Sequence, residues 1–411
     1  MIPIIEAGNA RALAAVLSPP ASRDPEIERR TRAIVEDVRR RGDRAVFAFA
    51  RRFDGSSGPL EVAPAEMTES ARTVPAAVRR AIREAARHIR AVARTQVPRG
   101  ARVVPVPGVV VEQRVVPLAR VGCYVPGGRY PLPSSLLMTA IPARVAGVPE
   151  VVAVCPRPDA VVMAAAREAG VTRLFRVGGA HAVAALAYGT ATIPRVDKIV
   201  GPGNAYVSAA KAIVARDCAI DFYAGPSEIV IVSAAAPPAW VAADLIAQAE
   251  HDPLARAIFI TWNTRLAHEV AREVALRTPV EGPAVSALAN AGAILVTRSR
   301  AAAIELADRF APEHLVCDDE AVVAGVRAGA VFVGPMTAQA AGDYATGSNH
   351  VLPTGGASRF RGGLSAADFV RVHSVQRLTA AGLRRIAPAV VSLAEAEGLR
   401  AHAESIRVRL R

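Results

Sequence analysis

The chain has 411 residues, 52% hydrophobic and only 4% aromatic, with a formal net charge of +13. That length is enough for two domains plus extensions, and a composition rich in Ala and Val suits an α/β protein. The charge does not describe a nucleic-acid face, because Lys198 and Lys211 are the only lysines and the arginines are scattered; the densest runs, Arg29-Arg30 and Arg39-Arg40-Arg41, have acidic neighbours.

Cys123, Cys155, Cys218 and Cys317 are widely spaced, so neither a thiolate zinc site nor a disulfide framework is signalled. No apolar run reaches about 18 residues, so no membrane span is expected. Glu6, Asn9 and Arg11 interrupt the first apolar residues, which therefore lack a signal-peptide core. The expected compartment is the cytoplasm.

In chain order, residues 1–21 read as an N-terminal arm: an extended start, a small helix, then Ser18-Pro19-Pro20. Residues 24–54 read as helical, with Ile27, Ile34, Val38, Val46, Phe47 and Phe49 as a buried stripe, and Glu69 to Val97 contains a second helical stretch. Valine-rich runs between Val103 and Val121 predict strands. Four strand–turn–helix units follow. Their turns are Val125-Pro126-Gly127-Gly128, the segment after Cys155, Gly178-Gly179 and Gly201-Pro202-Gly203-Asn204. This alternation predicts a parallel, Rossmann-like sheet, although no G-x-G-x-x-G fingerprint is present and glycine serves tight βα turns equally well.

A second α/β set starts with a strand at Ile229–Val232 and a helix from Trp240 to His251, stopped by Pro253. Further strands are predicted at Ala257–Thr261, Ala293–Thr297 and 330–334, with a glycine-rich loop from Gly342 to Gly356 as an active-site wall. From Ala366 onward the chain reads as a helical tail with Leu393, Leu399, Ile406 and Leu410 as apolar positions. The predicted fold is α/β: two Rossmann-like parallel-sheet domains, one inserted in the other, with an N-terminal arm and a helical C-terminal tail. Residues 22–118 and 226–365 would form a discontinuous domain, 119–225 the inserted one and 366–411 the tail.

Gln248 and His251, three apart, would share one face near a helix end, where an amide oxygen and an imidazole can bind zinc or simply form a solvated face. Pro312-Glu313-His314-Leu315 sets an acid beside an imidazole, a pair suited to proton transfer and also common in a surface turn. His88 and His268 read as solvated.

Further motifs accompany these: Tyr124-Val125-Pro126-Gly127-Gly128, Gly201-Pro202-Gly203-Asn204, Ala224-Gly225-Pro226-Ser227-Glu228, Gln248-Ala249-Glu250-His251, Ala311-Pro312-Glu313-His314-Leu315, Gly342-Asp343-Tyr344, Asn349-His350-Val351-Leu352-Pro353-Thr354 and Glu397-Gly398-Leu399-Arg400-Ala401-His402. In this order, from about residue 25 to 410, the chain resembles the histidinol dehydrogenases. The resemblance implies a zinc-dependent, NAD-linked enzyme of histidine biosynthesis that oxidises L-histidinol through L-histidinal to L-histidine with two NAD and one water. By motif, Gln248, His251, Asp343 and His402 would hold zinc; Glu313 and His314 would be catalytic; Ser227 and Glu397 would bind substrate polar groups alongside the zinc ligands and His314. Tyr124, His181 and Asn204 would meet NAD, and His350 would be structural. The resemblance also implies a homodimer in which the C-terminal segment, with Glu397 and His402, completes the partner's site.

One position departs from the family pattern: the turn after Gly178-Gly179-Ala180 carries His181 where glutamine is usual. A histidine still donates or accepts one hydrogen bond, with different shape and charge, so cofactor binding is where a change is expected. The resemblance leaves competing readings to weigh. A paralogue with the same machinery could act on another amino alcohol or diol; Ser227, Glu313, His314 and Glu397 weigh against it, while His181 and Arg359-Phe360-Arg361-Gly362-Gly363 keep it open. A nucleic-acid binder would show salt-sensitive binding, and a zinc hydrolase lacks its H-E-x-x-H arrangement. Cys123 or Cys155 could form a thiohemiacetal with the aldehyde, but neither has a base beside it, and buried structural thiols are the simpler reading.

Overall fold

The computed structural model describes residues 2–18, 24–127, 132–223 and 225–411. Met1, the Pro19-Pro20 end of the arm, Gly128 of the first glycine turn and Ala224 of the 224–228 motif lie outside the described residues.

Two parallel sheets carry the fold. The five-stranded one has the order Arg173–Phe175, Glu150–Val154, Arg120–Tyr124, Lys198–Val200, Ala219–Ile220. The six-stranded one runs Ile4–Glu6, Ala293–Val296, Arg256–Thr261, Glu228–Val232, His314–Cys317, Ala330–Val333. Central strands such as Arg256–Thr261 and Glu228–Val232 are buried along their whole length. Both faces are covered by helices, so these strands are near-continuous apolar runs rather than alternating ones.

Three expectations change. Residues 4–6 are an edge strand, Ile4 pairing with Ile294 and Glu6 with Val296, so the expected arm begins as part of the six-stranded sheet. The helices of 25–96 cover the five-stranded sheet instead of joining the six-stranded unit. Pro25–Arg41 packs on Gly179–Tyr188 and Ala205–Val214, and Ala76–Gln96 on Pro133–Val145 and Ala160–Ala169. The Ala76–Gln96 helix buries Ile82, Ala86, Ile89 and Ala93, a stripe at helical spacing that says which face is apolar but not which sheet it meets.

The C-terminal region is not wholly helical. Val370–Leu378 is a strand, antiparallel to Val109–Pro117, which also pairs with Ala101–Val106. Helices Ala380–Ala396 and Arg400–Arg407 follow and pack on each other. Among the described residues no helix is long and apolar enough to cross a membrane.

The segment after Tyr344 ties the two parallel-sheet units together. Asn349 Nδ2 donates to the Met138 carbonyl at 2.7 Å, and Thr354 Oγ1 accepts from Gly225 N at 2.6 Å. Gly355 N donates to Glu228 Oε1 at 3.0 Å. The carboxyl edge of one sheet and the amino edge of the other are thereby joined through one stretch of chain.

Candidate active site

Three adjacent strands of the six-stranded sheet open, at their amino ends, on Glu228, Arg256 and His314. Parallel register sets Glu228 beside Arg256 and His314 beside Ile229. The chain enters the last of these strands through Ala311, a buried non-glycine residue at φ 45°. That left-handed turn ends the helix Arg300–Phe310 and aims Glu313 and His314 at the sheet edge, at a strain of roughly 1 kcal/mol.

The backbone of Glu228 holds both residues. Its N–H donates to Glu313 Oε2 at 2.8 Å, and its carbonyl accepts from His314 Nδ1 at 3.1 Å. A carbonyl can only accept, so Nδ1 carries the hydrogen and Nε2 presents a lone pair. Nε2 is buried without a hydrogen-bond partner, 3.8 Å from Asp343 Oδ1. Burial pushes the His314 imidazole down to about 4, with His251 and His350 adding to the effect and Asp343 opposing it. Burial drives the Glu313 carboxyl well above its usual value, against the hydrogen bond from the Glu228 N–H and with the charges of Glu228 and Asp343 adding to the rise. Glu228 is raised by burial too, against the pull of Arg256, whose Nη1 lies 3.3 Å from Oε2. Arg256 also covers the Phe310 ring and donates to the Val16 carbonyl, linking the N-terminal segment to the site.

Asp343 sits on the short helix Gln339–Tyr344, within the stretch expected as loop. Gln339 Nε2 donates to its Oδ2 at 2.7 Å, and its carbonyl accepts from His350 Nδ1 at 2.9 Å. Burial lowers the His350 imidazole, with Asp343 opposing and His251 adding. Gln248 lies in the last turn of Pro238–Ala249, fully buried, with neither its amide oxygen nor its amide nitrogen bonded. The helix ends two residues before His251, whose N–H bonds back to the Gln248 carbonyl at 3.3 Å. Asp252, preceding Pro253, is biased away from helical backbone, so the chain leaves the helix there and His251 stands exposed beyond it. Ser227 is half-buried beside Glu228.

Glu313, His314, Gln248, His251, Asp343 and Ser227 thus gather at one edge. Glu397 and His402 do not join them: both are exposed on the C-terminal helical unit, and neither acts on His314, His350 or Glu313. Among the described residues no three His, Cys, Asp or Glu side chains within the chain form a metal-holding group. The donor set nevertheless fits a metal in part, because a buried amide with both ends unbonded and an imidazole lone pair beside a carboxyl are arranged for an electrophile.

The other three predicted residues lie at the carboxyl edge of the five-stranded sheet. Tyr124 ends the strand Arg120–Tyr124 and is buried; its hydroxyl accepts from Gly179 N at 3.0 Å. His181, in the first turn of Gly179–Tyr188, is 1% exposed and bonds Asp54 Oδ2 at 3.0 Å. Asn204 is exposed and caps Ala205–Val214, its Oδ1 accepting from Tyr206 N and Val207 N at 3.1 Å, so a ligand contact would fall to its Nδ2. Gly201 has φ 114°, and a Cβ there would stand 2.2 Å from the Tyr124 carbonyl, so only glycine fits. An open cavity of about 570 Å³ at Arg120, Arg195 and Arg216 lies at the opposite end of the Tyr124 strand.

Sequence reasoning gave no role to Glu228, Gln339, Asp54 or the Lys211–Asp221 pair. Lysine scarcity was an available signal. Lys198 bonds Asp368 at 3.2 Å, and Lys211, 2% exposed, pairs with Asp221 and donates to the Gly201 carbonyl at 3.0 Å. His88 is half-buried and bonds the Ala345 carbonyl at 2.6 Å, contrary to its solvated reading. The thiols of Cys123 and Cys155 are buried and pushed up to about 12 and about 11, which weighs against a thiolate nucleophile.

The family sequence model described as histidinol dehydrogenase matches residues 18–410. The histidinol dehydrogenase of Synechococcus sp. is 47% identical over 398 residues, covering 93% of this chain and 92% of its own. That of Methanothermobacter thermautotrophicus is 44% identical over 393 residues, covering 92% of each. The crystal structure of the enzyme from Elizabethkingia anophelis superimposes with a TM-score of 0.93 at 31% identity, covering 100% of this chain and 98% of that one.

Proposed function

The chain belongs to the histidinol dehydrogenase family, and on that premise we propose how its residues divide the oxidation of L-histidinol through L-histidinal to L-histidine. The observation that carries the assignment is the pair of buried, unbonded polar groups, the Gln248 amide and His314 Nε2, beside Asp343 and Glu313. Each unbonded buried group costs about 1–3 kcal/mol, a cost that a bound ligand repays.

Gln248, His251 and Asp343 of one chain would hold zinc, with His402 of the partner subunit as the fourth donor. Bound zinc would supply a template for the imidazole and amino nitrogens of histidinol, and NAD would be the hydride acceptor. His314 Nε2 receives the hydroxyl proton as the carbinol carbon loses hydride. Its neutral state at Nε2 is secured by the Nδ1–H bond to Glu228 and by burial. Glu313, in its ionised form and made the stronger base by the burial that raises its carboxyl, takes a proton from the water that hydrates the aldehyde. His314 Nε2 returns its first proton to the aldehyde oxygen as the water adds, and so is free to take the hydrate's proton as the second hydride leaves. Ser227 and, from the partner, Glu397 hold the substrate's polar groups, while Tyr124 and Asn204 face NAD. Exposed apolar residues on the three-stranded sheet, Val103 and Val104, and on the C-terminal helical unit, Leu393, Leu399 and Val408, support burial against a second copy.

Purified zinc-loaded protein given L-histidinol should form two NADH per histidinol, lost on chelation and restored by zinc. Folded, zinc-containing protein that forms none would sink the reading.

A further inference from the structure

We propose that His181 is a positioning residue for the cofactor turn and does not itself touch the cofactor. The inference rests on the NAD reading of the five-stranded sheet's carboxyl edge.

His181 is 1% exposed. Its ring lies against both Phe49 and Phe53, with centroids 5.8 and 6.1 Å away, and those two rings stack on each other at 5.8 Å. Its Nε2 is spent on Asp54 Oδ2 at 3.0 Å, and a carboxylate oxygen accepts, so Nε2–H donates. The same oxygen accepts from Gly178 N at 3.0 Å. Asp54 closes a short π-helical turn, Ala50–Asp54, in the helical layer over this sheet. One carboxylate oxygen therefore joins that layer, the first turn of Gly179–Tyr188 and the glycine that precedes it.

The next backbone N–H, of Gly179, goes to the Tyr124 hydroxyl. Gly179 has φ 59°, and a Cβ there would stand 3.4 Å from the His181 ring, so the ring also sets the floor under the turn. The N–H groups of Gly178 and Gly179 are therefore already taken. These two glycines contribute a shaped surface and a fixed Tyr124 hydroxyl rather than hydrogen bonds of their own. A glutamine at position 181 keeps one N–H for Asp54, which makes the departure from the family pattern a change of atoms with the bond retained.

The test is a double-mutant cycle on NAD affinity, using His181→Ala, Asp54→Ala, both together, and His181→Gln. Michaelis constants for NAD and for histidinol are measured separately on the zinc-loaded dimer, with NADH binding followed by fluorescence. Each alanine variant should raise the NAD constant about tenfold, the size of one lost hydrogen bond. The double variant should be no worse than either single, the histidinol constant should stay within about twofold, and His181→Gln should restore the NAD constant. If His181→Ala weakens NAD while Asp54→Ala does not, or if the two losses multiply, His181 contacts the cofactor directly and the proposal fails. Unchanged NAD constants in both variants also overturn it. Should an alanine variant unfold, the cycle is run with His181→Asn and Asp54→Asn, where the same non-additivity is required. A wild-type enzyme that shows no NADH binding and no NAD-dependent oxidation removes the NAD reading itself, a result distinct from normal wild-type binding with unaltered variants.

Discussion

The two parallel sheets end in opposite states. At the amino edge of the six-stranded sheet, the Gln248 amide and His314 Nε2 are buried without partners. At the carboxyl edge of the five-stranded sheet, the glycine turns are bonded by the chain itself: Gly178 to Asp54, Gly179 to Tyr124, and Gly201 to Asp221 and Lys211. The first edge gives up native stability to keep polar groups ready for a ligand. The second invests buried charge in holding a shape. On the proposed reading, chemistry belongs to the edge where hydrogen bonds are missing and docking to the edge where they are complete.

The sharpest way to break this contrast is at His314. His314→Ala should lower kcat by about 10²–10⁴, the range for loss of a positioned general base, with far-UV circular dichroism and the NAD Michaelis constant unchanged. A comparable rise in the NAD constant would mean that the two edges are not separable.

Next comes the buried pair beneath Gly201. Asp221→Ala leaves Lys211 charged and buried, and should cost about 3–5 kcal/mol in urea unfolding. It should also weaken NAD, because Gly201 N loses its acceptor at 2.7 Å.

The smallest effect is a gain. Glu313 holds its proton more tightly in the fold than at its ordinary value of 4.5, so it costs stability as pH rises above 4.5. In metal-free protein Glu313→Gln should raise Tm by a few degrees at pH 8 and by nothing at pH 4, while the zinc-loaded variant should lack activity. His314 acts with the other sign. Its folded value of about 4 lies below the ordinary 6.5, so the unfolded chain protonates first and stability falls as pH drops from 6.5 toward 4. Thermal melts of wild type and variant across pH 4–8 separate the two contributions.

Much of this was legible in the sequence and some was not, for physical reasons. Strand–turn–helix alternation identifies the parallel units, because period and glycine punctuation are local signals. The strand Val370–Leu378 was read as helix because its partner, Val109–Pro117, is remote in the chain. The Ile4–Glu6 edge strand is likewise defined by its neighbour. Periodicity shows that Ile82, Ala86 and Ile89 share a face, but the choice of sheet is a tertiary matter. At the site, the motif identifies Glu313 and His314, yet the backbone clamp from Glu228 arises only when two strands lie side by side. Asp54 could not be linked to His181 from sequence, since their bond crosses between the helical layer and the sheet.

The central claim is that the unbonded groups at the amino edge are reserved for metal and substrate. Calorimetric titration of zinc into metal-stripped wild-type and Gln248→Leu protein tests it most directly. The account predicts that Gln248→Leu, which removes an unbonded buried amide at similar volume, makes the metal-free protein about 1–2 kcal/mol more stable. It also predicts at least about tenfold weaker zinc binding. Zinc binding at wild-type affinity in Gln248→Leu would contradict it.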